Sequence, residues 1–207
     1  RIEITNERIS GGNVLDKILT SDIEKIRTTL EHIDRDAFDR AVDKIAAAET
    51  IYIIGVRSSA TLAGFLNYSL RMIFDNVRFV QTTSGSELFE QIMQIGPRDV
   101  MVAISFPRYS KRIVNAVGFA RNAGAEVVAL TSGTMSPIAP YADELLLARS
   151  DMASFVDSLV APMSILNAMV VALSRKHQER VTERLRTLEK IWDEYDVYEK
   201  QVKENEI

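Results

Sequence analysis

The chain has no cysteine among its 207 residues. That excludes disulfides and thiolate metal sites and fits a reducing compartment, so a cytoplasmic location is expected. No apolar run approaches the roughly 20 residues that span a bilayer, and no charged-then-apolar leader opens the chain, so no membrane partner is expected. Basic residues are outnumbered, 25 Lys and Arg against 29 Asp and Glu, for a formal charge of −4. A surface that neutralises nucleic-acid phosphate is usually basic, so these residues are not expected to wrap DNA themselves. The chain begins at Arg1 rather than Met, and a preceding domain of a longer protein is expected to carry any such activity. Histidine is scarce too: His32 and His177 lack metal-ligand spacing with the scattered carboxylates, so no metal or other cofactor is expected.

What is present suits one globular domain with a full core and peripheral helices, at 46% hydrophobic and 26% charged residues. Residues 1–12 are a polar lead-in broken by Gly11 and Gly12. Asn13 is placed to cap a helix to about His32, with Val14, Leu15, Ile18, Leu19, Ile23, Ile26 and Leu30 at helical spacing. Asp34 is placed to cap a second, whose apolar face is Phe38, Ala41, Val42, Ile45 and Ala46. At Ile51 the pattern changes, because IYII is apolar without alternation, the mark of a strand covered on both faces. Further strands are predicted at 77–80, 100–104, 126–130 and 144–147. Helices are predicted from Ser58 or Ser59 to Phe74, from Ser84 or Ser86 to Ile95 and from Ser110 to Asn122, with a short one starting at Ser136 and Pro137.

Five apolar strands alternating with helices imply a doubly wound α/β fold, a parallel five-stranded sheet in a flavodoxin-like three-layer sandwich with extra N- and C-terminal helices. Its ligand crevice should lie at the carboxyl ends of the strands. After the fifth strand, Phe155, Leu159, Pro162, Met163, Leu166, Met169, Val170 and Leu173 fit a long buried helix that Pro162 could kink. Beyond Ser174 both charge signs mix around a near-heptad seam of Val181, Leu185, Leu188, Trp192, Tyr195, Tyr198 and Val202. That seam packs either on its own domain or on another subunit. The expected organisation is residues 1–50 as linker and N-terminal helices, 51–173 as the ligand-binding domain and 174–207 as a charged helix for oligomerisation.

The stretch ISFPRYSKR, residues 104–112, reads as a strand, a polar turn and a helix start. Such a junction favours anions, because the first helix N–H groups lack intrahelical partners and carry partial positive charge. Ser105, Pro107, Arg108, Ser110 and Lys111 are its candidate ligand residues. Similar polar clusters follow the other strands: Gly55, Arg57, Ser58 and Ser59; Thr82, Thr83, Ser84, Gly85, Ser86 and Glu87; Thr131, Ser132 and Ser136. Hydroxyls grouped with helix N-termini suit a phosphorylated, hydroxyl-rich ligand such as a sugar phosphate. Each serine alone is also a plausible cap, Arg57 also suits a surface position, and Glu87 also suits a helix-dipole role.

GVRSSATLA after the first strand and AISFPRYSK after the third resemble the sugar isomerase (SIS) domain, in the form found in the RpiR family of sugar-phosphate-responsive transcriptional regulators. The resemblance spans about residues 51–173. It implies that the first loop contacts the sugar and that the loop after the third strand holds the phosphate, usually with the pattern SxSGxT. Ser105 takes the first serine's place and Ser110 the threonine's, whereas Pro107 and Arg108 replace the second serine and the glycine. Arg108 or Lys111 could then supply a charged donor.

An aldose–ketose isomerase needs a base and usually an acid. Glu87 and His177 are the candidates for that alternative, with His177 also readable as a solvated helix residue. The scarcity of such groups favours binding of a phosphorylated sugar or amino sugar without turnover and with no catalytic residue. The resemblance further implies a dimer or tetramer and a DNA-binding helix-turn-helix domain outside this chain.

Overall fold

Asn13 Oδ1 accepts the Leu15 N–H at 3.0 Å and Asp34 Oδ1 accepts the Ala37 N–H at 2.9 Å. These caps open helices α1 (Val14–His32) and α2 (Arg35–Ala47) where the sequence placed them. The structure is a computed structural model and describes residues 13–81, 84–151 and 157–198. Gly11, Gly12, Thr82, Thr83, Phe155 and Val202 lie outside the described residues.

Strands β1 (Ile51–Gly55), β2 (Val77–Val80), β3 (Val100–Ile104), β4 (Glu126–Thr131) and β5 (Glu144–Leu147) form one parallel sheet in the order β2-β1-β3-β4-β5. Successive side chains point to opposite faces, and both faces are covered. Ile51, Ile53, Val102, Ile104, Val128 and Leu130 pack with α2, α3 (Ser58–Arg71) and α6 (Val160–Lys176). Tyr52, Ile54, Met101, Ala103, Val127 and Ala129 pack with α4 (Gly85–Ile92) and α5 (Lys111–Asn122). The doubly wound α/β expectation therefore holds. Strand order reverses between β1 and β3, where Gly55 stands beside Ile104, and a switch point of this kind opens a crevice at the strands' carboxyl ends.

Several elements differ from expectation for local reasons. The first turn of α3 follows Arg57, which occupies the N-cap itself, so Ser58 and Ser59 lie inside the helix rather than capping it. Helix α4 ends at Ile92, before Ile95, because the Gly96 N–H turns to Asp99 Oδ2 at 2.8 Å. The turn begun by Ser136 tightens into a 3₁₀ helix only at Ala139–Tyr141. Pro162 is the third residue of α6, where the N–H it lacks has no intrahelical acceptor, so it starts the helix without needing a kink.

Helix α1 is inverted relative to its pattern. It buries Lys25 and Thr29, while Val14, Leu15, Leu19, Ile23 and Leu30 are exposed. Polar contacts hold its inner side: Lys25 Nζ donates to Ser21 Oγ at 2.8 Å and Asp22 Oδ1 at 3.1 Å, and Thr29 Oγ1 accepts the Arg149 N–H at 3.0 Å.

Helix α7 (Gln178–Glu194) follows α6 after a break at His177. Its first turns dock on their own domain: Arg180 and Arg184 both pair with Asp75, and Val181 packs against the core. No residue of α7 is buried, and Leu185, Ile191, Tyr195 and Tyr198 remain exposed. Among the described residues no helix is long and apolar enough to cross a membrane.

Candidate functional site

The loops after β1 and β3 meet at the switch point and form a small crevice, partly open to solvent. It is lined by Arg57, Ser58 and Ser59 from the first loop, Ser105, Pro107, Arg108 and Ser110 from the second, and by Val56, Phe106 and Asp157. Seven of the eleven residues expected from sequence therefore come together.

The other four do not line it. Gly55 is a packing residue, since a Cβ there would stand 2.5 Å from the Ser59 carbonyl oxygen; its bareness lets α3 start directly against β1. Lys111 is exposed on the first turn of α5. Ser84 and Glu87 belong to the start of α4, where Ser84 Oγ lies 2.9 Å from Ser86 Oγ and Glu87 is exposed.

Two of the three non-glycine residues with positive φ among the described residues lie at this crevice, the third being Asp196 beyond α7. Arg57 has φ 58° and Arg108 φ 67°, and both lie on its wall. For a side-chain-bearing residue such angles cost about 1–3 kcal/mol each, and such strain clusters at binding sites. The loops hold two guanidinium-bearing residues in conformations that glycine would adopt more easily.

The helix starts tell the same story. Ser110, the N-cap that follows β3, makes no side-chain cap hydrogen bond, and Arg57, the N-cap that follows β1, carries no side-chain acceptor. Asn13 and Asp34, away from the crevice, make such bonds. Around the crevice the dipoles of α3 and α5 thus meet hydroxyls and two cations, an arrangement suited to a phosphate. The loop after β4 joins through Ser132, whose Oγ lies 3.2 Å from the Tyr109 hydroxyl. Thr131 and Ser136 are buried, with side-chain hydroxyls that have no partner among the described residues.

His177 lies away from this chain's own crevice. Half-buried at the end of α6, its ring meets Phe74 edge-on at 5.0 Å. It caps the far end of α6, a helix of 17 residues and hence about 25 Å.

Three lining residues, Val56, Phe106 and Asp157, fall outside the set expected from sequence, and Asp157 is the charged one. Its side chain is 3% exposed, and its carboxylate lies 3.7 Å from Arg108 Nη2. An aspartate two residues before a helix's N-cap reads as an ordinary helix-start residue, so spacing carried no signal. Among the described residues no group of three or more His, Asp or Glu could hold a metal ion.

A parallel sheet with an anion-suited crevice at its switch point defines a class of ligand-binding α/β domain. Within that class this chain belongs to the SIS domain family, which it matches over residues 44–172. Its curated relatives include an HTH-type transcriptional regulator of Caldanaerobacter subterraneus, 25% identical over 79% of this chain and 58% of the relative. The HTH-type transcriptional regulator HexR of Escherichia coli is 32% identical over 60% of this chain and 43% of the relative. The chain thus spans about half the length of the regulators it matches.

Among solved structures, the sugar isomerase domain of an RpiR transcription factor from Sphaerobacter thermophilus superposes with TM-score 0.82 at 27% identity, covering 86% of this chain and 99% of that one. The Vibrio vulnificus NanR protein, complexed with ManNAc-6P, superposes with TM-score 0.77 at 21% identity, covering 94% and 74%. The fold is also shared with the phosphoheptose isomerase GmhA of Neisseria gonorrhoeae, at TM-score 0.65 and 16% identity, covering 78% of this chain and 97% of that one.

Proposed function

We propose that this chain is the effector-sensing part of a sugar-responsive transcriptional regulator. It binds a phosphorylated sugar or amino sugar without turnover and couples the bound state to a helix-turn-helix domain outside this chain. The observation that carries the reading is the convergence of Ser58, Ser59, Ser105, Ser110 and two strained arginines on one crevice between two uncapped helix starts. The regulators among its relatives support sensing, and the NanR complex supports the phosphosugar class.

Isomerase relatives of the fold make turnover the second reading. It requires a base and an acid beside the sugar carbons. Glu87 is exposed and outside the crevice lining, and His177 sits at the opposite end of α6, so neither is at hand within this chain.

A panel of hexose and amino-sugar phosphates, assayed for thermal stabilisation and for product, tests both. Stabilisation should rise with ligand concentration and no product should form. Ser105→Ala with Ser110→Ala should weaken binding by roughly 0.5–1.5 kcal/mol per lost hydrogen bond while folding persists. Turnover that disappears in Glu87→Gln overturns the sensor reading.

Helix-turn-helix proteins read paired half-sites, so self-association in the cytoplasm belongs to this proposal. The exposed apolar stripe of α1 supplies a surface for it. Ile23→Glu should then lower the oligomer size on a sizing column; an unchanged profile removes α1 from the interface.

A further inference from the structure

Asp157 lies where a phosphate-binding crevice should have no negative charge. Its carboxylate is almost fully withdrawn from water, yet the cation that faces it stands 3.7 Å away, beyond hydrogen-bonding distance. A buried charge so weakly matched is costly, and a group of that kind calls for a role. The residue after it, Ser158, donates its hydroxyl to Asp22 Oδ1 on α1 at 2.7 Å. The same oxygen accepts from Lys25 Nζ at 3.1 Å, and Lys25 is itself 7% exposed. One short stretch therefore touches the phosphate loop through Arg108 and the N-terminal helix through Asp22.

We propose that Asp157 is the protein's own anion in the phosphate grip, and that it couples the grip to helix α1. Without ligand, Asp157 faces the Arg108 guanidinium across 3.7 Å as a long ion pair. An arriving phosphate takes that guanidinium by charge-assisted hydrogen bonds and repels the carboxylate. Displacement of Asp157 pulls on Ser158 and, through the Ser158–Asp22 bond, on α1. The ligand then shifts an equilibrium between two arrangements because its phosphate favours only one. The proposal rests on reading the crevice as a phosphate site.

The test uses the whole chain and inorganic phosphate as probe, with affinity from calorimetry and α1 mobility from hydrogen exchange. Asp157→Asn should bind phosphate about tenfold more tightly, because the carboxylate no longer competes with the anion for the Arg108 guanidinium. In an Arg108→Gln background that gain should shrink to less than about twofold, since the two residues act as a coupled pair. Phosphate should change exchange across residues 14–32 in the unaltered protein, and Ser158→Ala should abolish that change while binding persists. Unchanged or weaker affinity in Asp157→Asn overturns the proposal, as does an α1 response that survives Ser158→Ala. Phosphate binding insensitive to the Ser105→Ala, Ser110→Ala pair overturns the phosphate reading of the crevice itself. Binding that depends on those serines but not on Asp157 leaves that reading standing and removes only the aspartate.

Discussion

Glu144 and Asp157 are both buried carboxylates, 5% and 3% exposed at the side chain, and they sit at opposite ends of the sheet. At the amino-terminal end, Glu144 accepts two bonds from Arg40 Nε at 3.1 and 3.0 Å and faces Lys44 at 3.8 Å. Around it Lys44 pairs with Glu126, Arg121 with Asp143, and Asp143 also accepts the Val127 N–H. At the carboxyl end, Asp157 has one guanidinium at 3.7 Å, and its neighbours are strained arginines and uncapped helix starts. The first carboxylate is matched by close cations, and the second faces its cation only at a distance. Within one fold, backbone strain and a loosely matched carboxylate fall together at the end where the proposed ligand site lies.

The largest effect should come from the satisfied end. Arg40→Ala with Lys44→Ala leaves the Glu144 carboxylate buried without its cations and should cost about 2–4 kcal/mol in denaturant unfolding, with phosphosugar affinity unchanged. A comparable affinity loss would mean that the two ends are not separate in function. Next, Gly55→Ala should lose about 1–3 kcal/mol, because its Cβ would meet the Ser59 carbonyl at 2.5 Å. Here affinity should fall too, since the first turn of α3 must shift.

A smaller change of opposite sign is expected at the strained wall. Arg57→Gly should raise stability by about 1 kcal/mol by relieving a φ of 58°, while phosphosugar binding weakens. A loss of stability would show that the Arg57 side chain supports the fold rather than the ligand.

The smallest effect concerns Asp75, on the loop after α3. The Arg184 hydrogen bond, then that of Arg180, holds its carboxyl below the usual carboxylate range. A lowered folded pKa contributes stability above the unfolded value, lost as pH falls through the folded one. Docking of α7 should therefore loosen only below about pH 4. Trp192, the single tryptophan, lies on α7, and its fluorescence anisotropy reports this. Asp75→Asn should reproduce at neutral pH the change that acid produces in the unaltered chain.

Much of the fold was legible because its signals are local. Unalternating runs such as IYII fixed the strands, and Asn13 and Asp34 fixed two helix starts to the residue. The crevice was legible in part, since a polar cluster after each strand must lie at one end of a parallel sheet. The serines of β1's and β3's loops converged because those strands are neighbours at the switch point. Ser84 and Glu87 follow β2, an edge strand, and were not brought onto the wall.

Chain order and hydrophobic rhythm thus determined which elements exist, that they alternate, and which end of the sheet carries the polar loops. Those properties depend on residues within a few positions of one another. Three matters were decided only by packing: the burial of α1 by its polar side, the edge-on seating of His177 on Phe74, and the entry of Asp157 into the crevice wall. Each depends on contacts between residues far apart in the chain, such as Asp22 with Ser158 and Arg108 with Asp157. No periodicity encodes such a meeting. It follows from how α1 and α6 settle on one face of the sheet, where the polar groups that α1 buries are hydrogen-bonded and their burial is thereby tolerated.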